Sequence, residues 1–134
     1  MSKVVLIGSS SAIAKSLQNQ SNREFVCFTR SNGFDISGDL SELDDLEDIN
    51  GLVYFPGTIN LKPFTMLKEQ DYQNDLDINF LGAVKVVKKL IGKLKEADGA
   101  SVVFISTVAA SIGLPFHASI SPSKAALEAY ARSM

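Results

Sequence analysis

Ser101-Val-Val-Phe-Ile-Ser-Thr-Val-Ala-Ala110, followed by Ser119-Ile-Ser-Pro-Ser-Lys-Ala-Ala-Leu127, is the stretch on which the reading of this chain turns. Residues 102–105 are apolar throughout, follow an Asp98-Gly99 turn and stop at the hydroxyl pair Ser106-Thr107. An unbroken apolar run of that length reads as a strand buried on both faces. The second segment reads as a helix opening near Ser121-Pro122, because proline is tolerated in a first helical turn. Lys124 sits in that helix among Ala125, Ala126 and Leu127.

The same alternation continues toward the N-terminus. Residues 4–7 form a short apolar run ending at Gly8, and residues 12–20 carry Ile13, Ala14 and Leu17 on one helical face. Residues 25–29 read as a second strand. Ser41 is placed to cap a short acidic helix with Leu43, Leu46 and Ile49 as its apolar stripe. Residues 52–55 read as a strand stopped by Pro56-Gly57. A loop through Pro63 leads to a long helical region over residues 69–95. Val84, Val87, Ile91 and Leu94 form its stripe, with Lys85, Lys88, Lys89, Lys93 and Lys95 outward. Short all-apolar strands separated by helices give an α/β fold, a Rossmann-type doubly wound parallel sheet between two helical layers. No linker composition interrupts residues 1–134, so a single domain is expected.

Composition narrows the function classes. The chain has 134 residues, is 46% hydrophobic and carries a net charge of −2. That balance gives no electrostatic basis for nucleic acid or for an anionic membrane surface. The acidic stretch from Asp39 to Asp48 reads as a solvated face. The single cysteine, Cys27, lies in an apolar run and reads as a buried strand thiol; one cysteine excludes a disulfide or a cysteine metal site within one chain. No segment has the length of a signal peptide's apolar region or of a membrane span. A cytoplasmic protein with no membrane or metal partner is the expectation.

Ile7-Gly8-Ser9-Ser10-Ser11-Ala12-Ile13-Ala14 joins the first strand to the first helix. Such a turn aims free N–H groups and the positive end of the helix dipole at a bound anion. Ser9, Ser10 and Ser11 add hydroxyls, and Ile13 lies in the first helical turn. A Ser-rich turn alone is also an ordinary helix cap, but its position at the start of a βαβ pattern is where dinucleotide sites occur. The second strand ends Phe28-Thr29-Arg30-Ser31, with no carboxylate to read a ribose 2′-hydroxyl. A guanidinium there suits a 2′-phosphate.

Taken together, these segments resemble the short-chain dehydrogenase/reductase family, in order and over essentially the whole chain. The resemblance implies strand order 3-2-1-4-5, with further strands beyond Met134, so that the chain is either a fragment or a truncated relative. It implies an oxidoreductase acting on a carbonyl or alcohol, with NADP preferred and NAD the alternative. It places cofactor contacts at Gly8, Ser9, Ser10, Ser11, Ile13, Arg30, the adenine-side pair Asp39-Leu40, the turn Pro56-Gly57, and Lys124. Tyr54-Phe55-Pro56-Gly57 stands where the family has Asn-Asn-Ala-Gly, and Ala12 and Ala14 replace two family glycines. Catalytic positions fall on Asn79, Thr107 and Lys124. Thr107 takes the place of the family's serine, and Ile120, thirteen residues on, takes the place of its tyrosine. Isoleucine has no proton to give. His117, three residues earlier and the only histidine, is the candidate substitute acid. The alternative is a non-catalytic homologue that keeps the cofactor site as a sensor or structural subunit. The implied partners are a small-molecule substrate and a second copy of the chain, as a homodimer or homotetramer built on the long helix and the Lys124 helix.

Overall fold

The computed structural model describes residues 2–134. They fall into two compact units. The first comprises the chain up to Phe55 together with Lys85–Val103. The second comprises Pro56–Val84 and Phe104–Met134.

Four strands form one sheet: β1 (Lys3–Ile7), β2 (Glu24–Phe28), β3 (Ile49–Tyr54) and β4 (Ser101–Phe104), in the order β2-β1-β3-β4. β1 pairs in parallel with both β2 and β3. Its all-apolar sequence is explained by this central place, with Val5, Leu6 and Ile7 essentially removed from solvent. Helix α1 (Ala12–Gln20) returns the chain from β1 to β2. On one face of the sheet Val4, Leu6 and Val53 pack with Leu17, Phe25, Cys27 and Phe55. Cys27 is half-buried rather than buried, and its thiol donates to Gln18 Oε1 at 3.3 Å. In the first unit, α3 (Gly82–Glu96) buries Val86, Val87, Leu90 and Leu94.

The order is the expected 3-2-1-4-5 without its outermost strand. Residues 29–48 contain no strand and instead form 3-10 turns at Arg30–Asn32 and Ser41–Leu43, with Gly33 left-handed at φ 85°. The polar run Ser31-Asn32-Gly33 and the pair Gly38-Asp39 favour turns over pairing. The acidic helix expected after Ser41 is likewise reduced to those three residues. Ser41 does not cap it; its N–H and hydroxyl donate back to the Asp39 carboxylate, at 2.9 and 2.8 Å. Lys89 and Lys93 are not simply outward. Lys89 Nζ meets both Asp44 oxygens at 2.9 Å, and Lys93 Nζ donates to the carbonyls of Asp44 and Leu46. The acidic segment is thus clipped to α3 by its own counter-charges.

In the second unit, α2 (Glu69–Leu76), a π-helical turn (Asp77–Leu81) and the start of α3 make one continuous helical run. α4 (Ala109–Ile112) and α5 (Ile120–Ser133) follow β4. α2, the π turn and α4 each pack against α5. Tyr130 of α5 lies edge-on to Phe80, with ring centroids 5.9 Å apart, and 6.1 Å from Phe104. The loop before α2 is anchored at Asp71, which accepts from Lys68 N–H, Lys62 Nζ and Asn60 Nδ2. Those donors, the Lys68 N–H foremost, lower the Asp71 carboxyl to about 2.

Candidate active site

The Ser-rich turn between β1 and α1 in the first unit is organised by Gly8. Its φ is 76°, a left-handed conformation that an L side chain resists. Gly8 and Ser9 both donate their N–H to the Phe28 carbonyl, at 2.8 and 3.2 Å, which ties the turn to the end of β2. Ser11 caps α1 by accepting from Ala14 N–H at 3.2 Å. Ser10 Oγ accepts from Thr29 Oγ1 at 3.0 Å, whereas Ser9 is buried. The N–H groups of Ala12 and Ile13 have no partner among the described residues, as expected for the first turn of a helix. Ile13 is 59% exposed. These open donors and the Cβ-free Gly8 fit an anionic group such as a pyrophosphate. Arg30 opens the turn after β2 and is exposed; its carbonyl accepts from Gly33 N–H at 3.0 Å, while its guanidinium has no hydrogen bond or ion pair among the described residues. Both Asp39 oxygens are occupied by Ser41, which lowers that carboxyl; Leu40 beside it is buried.

The second unit brings Gly57, Asn79 and Lys124 together. A Cβ built on Gly57 would stand 3.1 Å from Asn79 Oδ1 and 3.5 Å from Lys124 Nζ. A side chain there would crowd the Asn79 carboxamide. Asn79 is fully buried in the π turn. Its Nδ2 donates at 2.8 Å to both Thr58 Oγ1 and the Asp75 main-chain carbonyl, and its Oδ1 accepts from Thr58 N–H at 3.3 Å. Lys124 is 8% exposed and donates to the Ile105 carbonyl at 2.7 Å. Burial lowers its pKa from the usual lysine value, because the ammonium loses hydration.

The remaining candidates are placed as follows. Thr107 Oγ1 accepts from Ala109 N–H at 3.3 Å, so the hydroxyl turns the chain into α4. Ser106 instead donates to Glu128 at 2.6 Å. Ile120 begins α5, one turn before Lys124, with a side chain 6% exposed. His117 Nδ1 lies 2.7 Å from the Pro115 carbonyl, beside Phe116, whose φ of 66° is left-handed. The Tyr130 ring packs against Phe80 and Phe104. Thr58 and Asp75 were not among the sequence candidates. Asp75 had a signal, since it precedes Asn79 by four residues and shares its helical face; Thr58, a lone loop threonine, had none. Among the described residues no cluster of three metal-ligating side chains occurs, and no helix is long and apolar enough to cross a membrane.

Comparison with known proteins gives a consistent result. A family model described as short chain dehydrogenase matches residues 3–134. A 3-dehydrosphinganine reductase from Danio rerio is 27% identical over 108 residues, 75% of this chain. This chain spans about a third, 32%, of that relative's length. The crystal structure of a small-chain dehydrogenase aligns with TM-score 0.88 at 21% identity, covering 98% of this chain and 74% of its own. A small-chain dehydrogenase solved in complex with NADPH aligns with TM-score 0.87 at 21% identity, covering 98% and 63%.

Proposed function

Because the chain belongs to the short chain dehydrogenase family, we propose that it serves an NADP(H)-dependent oxidoreductase acting on a carbonyl or alcohol, with Lys124 handling the proton. The observation that carries this reading is the convergence of Asn79 Oδ1 and Lys124 Nζ on Gly57. When bound, the nicotinamide supplies or accepts the hydride. The chain's own residues do the rest. The Ser10 hydroxyl and the open N–H groups of Ala12 and Ile13 hold phosphate oxygens beside the Cβ-free Gly8, and Arg30 pairs with a 2′-phosphate. Lys124 presents a desolvated ammonium, a better acid than an exposed lysine. Thr107 offers a hydroxyl to the substrate oxygen. His117 is the second candidate acid, acting through Nε2 with its Nδ1 held on the Pro115 carbonyl. Large apolar side chains are exposed after β3 (Ile59, Phe64, Met66) and after β4 (Val108, Ile112, Phe116), which favours an apolar carbonyl compound as substrate.

Fluorescence or calorimetric titration of the full-length protein with NADPH and NADH, followed by turnover assays, tests this reading. NADPH is expected to bind more tightly. Arg30→Ala should weaken NADPH about 10–100-fold, the equivalent of a charge-assisted bond of about 1.5–3 kcal/mol, and leave NADH little changed. Equal loss for both cofactors would remove Arg30 from the 2′-phosphate.

A second reading is favoured by one observation: the buried Ile120 stands where the family's proton donor belongs. On that reading the protein binds the dinucleotide without chemistry, and NADPH binding with no turnover would select it. Self-association is expected on either reading. The surfaces through which pairing is expected are the long helix α3 and helix α5, whose Ala125, Ala126, Ala129 and Ala131 allow close helix approach. Light scattering on the full-length protein should show a dimer or tetramer; a monodisperse monomer would refute it.

A further inference from the structure

The least explained group in the second unit is Asp75. It is an acidic side chain 1% exposed, one of whose oxygens has no hydrogen-bond partner among the described residues. Its other oxygen accepts from Thr58 Oγ1 at 2.5 Å. The hydrogens around Thr58 have one consistent assignment. The Asp75 main-chain carbonyl only accepts, so Asn79 must turn its Nδ2 toward it. The Thr58 N–H only donates, so Asn79 must turn its Oδ1 toward that group. The second Nδ2 hydrogen goes to Thr58 Oγ1, and the Thr58 hydroxyl hydrogen is then left for Asp75. The outcome is a carboxamide whose oxygen is turned to the Gly57 side, where Lys124 Nζ also lies.

We propose that Thr58 and Asp75 are positioning residues that hold the Asn79 carboxamide with its oxygen directed toward the Lys124 ammonium. The inference rests on the reading of Asn79 and Lys124 as the polar pair of the site. Nothing else packed against α5 takes this part. α4 carries no titratable group, and Asp77 of the π turn is exposed. In α2, Glu69 and Tyr72 are exposed, and Asp71 is engaged by Lys62 and Asn60. On α5 itself, Glu128 accepts from Ser106, Arg132 is exposed, and Tyr130 is packed between two phenylalanines. Asp75 is the buried carboxyl of the set. An acceptor oxygen facing an ammonium favours its charged form and opposes the effect of burial. Thr58→Val removes the hydroxyl at nearly constant volume. The Asn79 amide nitrogen then turns toward the orphaned Asp75 carboxyl and draws its oxygen away from Lys124.

The test is a nuclear magnetic resonance titration of Lys124, isotopically labelled at Cε and Nζ, in the cofactor-free full-length protein. In Thr58→Val the Lys124 midpoint should fall below the wild-type value by about one pH unit, and Thr58→Ser should restore it. A role limited to packing predicts the opposite sign, because a loosened core admits water and the midpoint would rise. An unchanged or raised midpoint in Thr58→Val overturns the proposal. If that variant does not fold, exchange of the Asn79 side-chain amide protons in the wild type decides, with slow exchange of both supporting the network and fast exchange overturning it. The pH profile of turnover should move in the same direction as the Lys124 midpoint. Absence of turnover in the wild type would count against the oxidoreductase reading and leave the titration result intact.

Discussion

Lys124→Met should remove turnover without lowering the melting temperature. The ammonium is buried and its one recorded hydrogen bond is to the Ile105 carbonyl, with no ion pair among the described residues. If it is the proton-handling group, its loss costs about 10²–10⁴-fold in rate, the range typical of general acid–base catalysis. Stability should move the other way. Burial holds the folded-state pKa of Lys124 below its ordinary value of 10.5. Between the two values the unfolded chain binds more protons than the folded one, so stability rises with pH across that window. At neutral pH, below it, the folded state carries the full cost of a desolvated charge. Methionine fills similar space without that cost. Steady-state kinetics and thermal unfolding at pH 7 and pH 10 check both halves. The variant should be at least as stable at pH 7, and its advantage should shrink at pH 10. Retained turnover would dismiss Lys124 as the acid, and a melting temperature reduced at pH 7 would show that the Ile105 contact outweighs desolvation.

Ile120→Tyr should raise turnover by a similar factor, about 10²–10⁴-fold. Position 120 lies one helical turn before Lys124 on α5, so a phenol there shares a face with the ammonium. A neighbouring positive charge lowers a phenol's pKa and makes it a competent acid near neutrality. The substitution enlarges a buried side chain, and overpacking costs roughly 1–3 kcal/mol. A lower melting temperature is therefore expected alongside the gain. The measurement is kcat on an apolar ketone with NADPH, alongside the cofactor's dissociation constant. Unchanged kcat with intact NADPH binding would mean that the missing phenol is not what limits this protein. His117→Ala in the wild type separates the remaining candidate. With Nδ1 on the Pro115 carbonyl, Nε2 is the nitrogen that would act; abolished turnover would make His117 the acid, and unchanged turnover would dismiss it.

Much of this was legible in the order of residues. The apolar runs at residues 4–7 and 52–55 pointed to burial on both faces, which a parallel sheet with helices between its strands supplies. The Ser-rich turn after β1, Arg30 at the end of β2, and Asn79 and Lys124 in their helical settings were each visible as local patterns. Local pattern misled where long-range charge decided. The stretch after Ser41 has a helical stripe, yet Ser41 folds back onto Asp39, and Lys89 and Lys93, more than forty residues on, clip the turn. The strand expected between β2 and β3 is absent because its residues favour turns over sheet pairing.

The sequence by itself determined the parallel α/β architecture, the Ser-rich turn between β1 and α1 and the absence of a phenol at position 120, because each is set by residue type at close spacing. Tertiary structure alone decided that Gly57, Asn79 and Lys124 meet, that Thr58 and Asp75 stand behind Asn79, and that Tyr130 packs against Phe80 and Phe104. Those facts depend on where separate segments cross. A hydrogen bond between residues 58 and 79, or a carbonyl at 105 reached by an ammonium at 124, leaves no period or motif in the chain. It exists only once apolar burial has fixed the backbone and each buried polar group must find a partner.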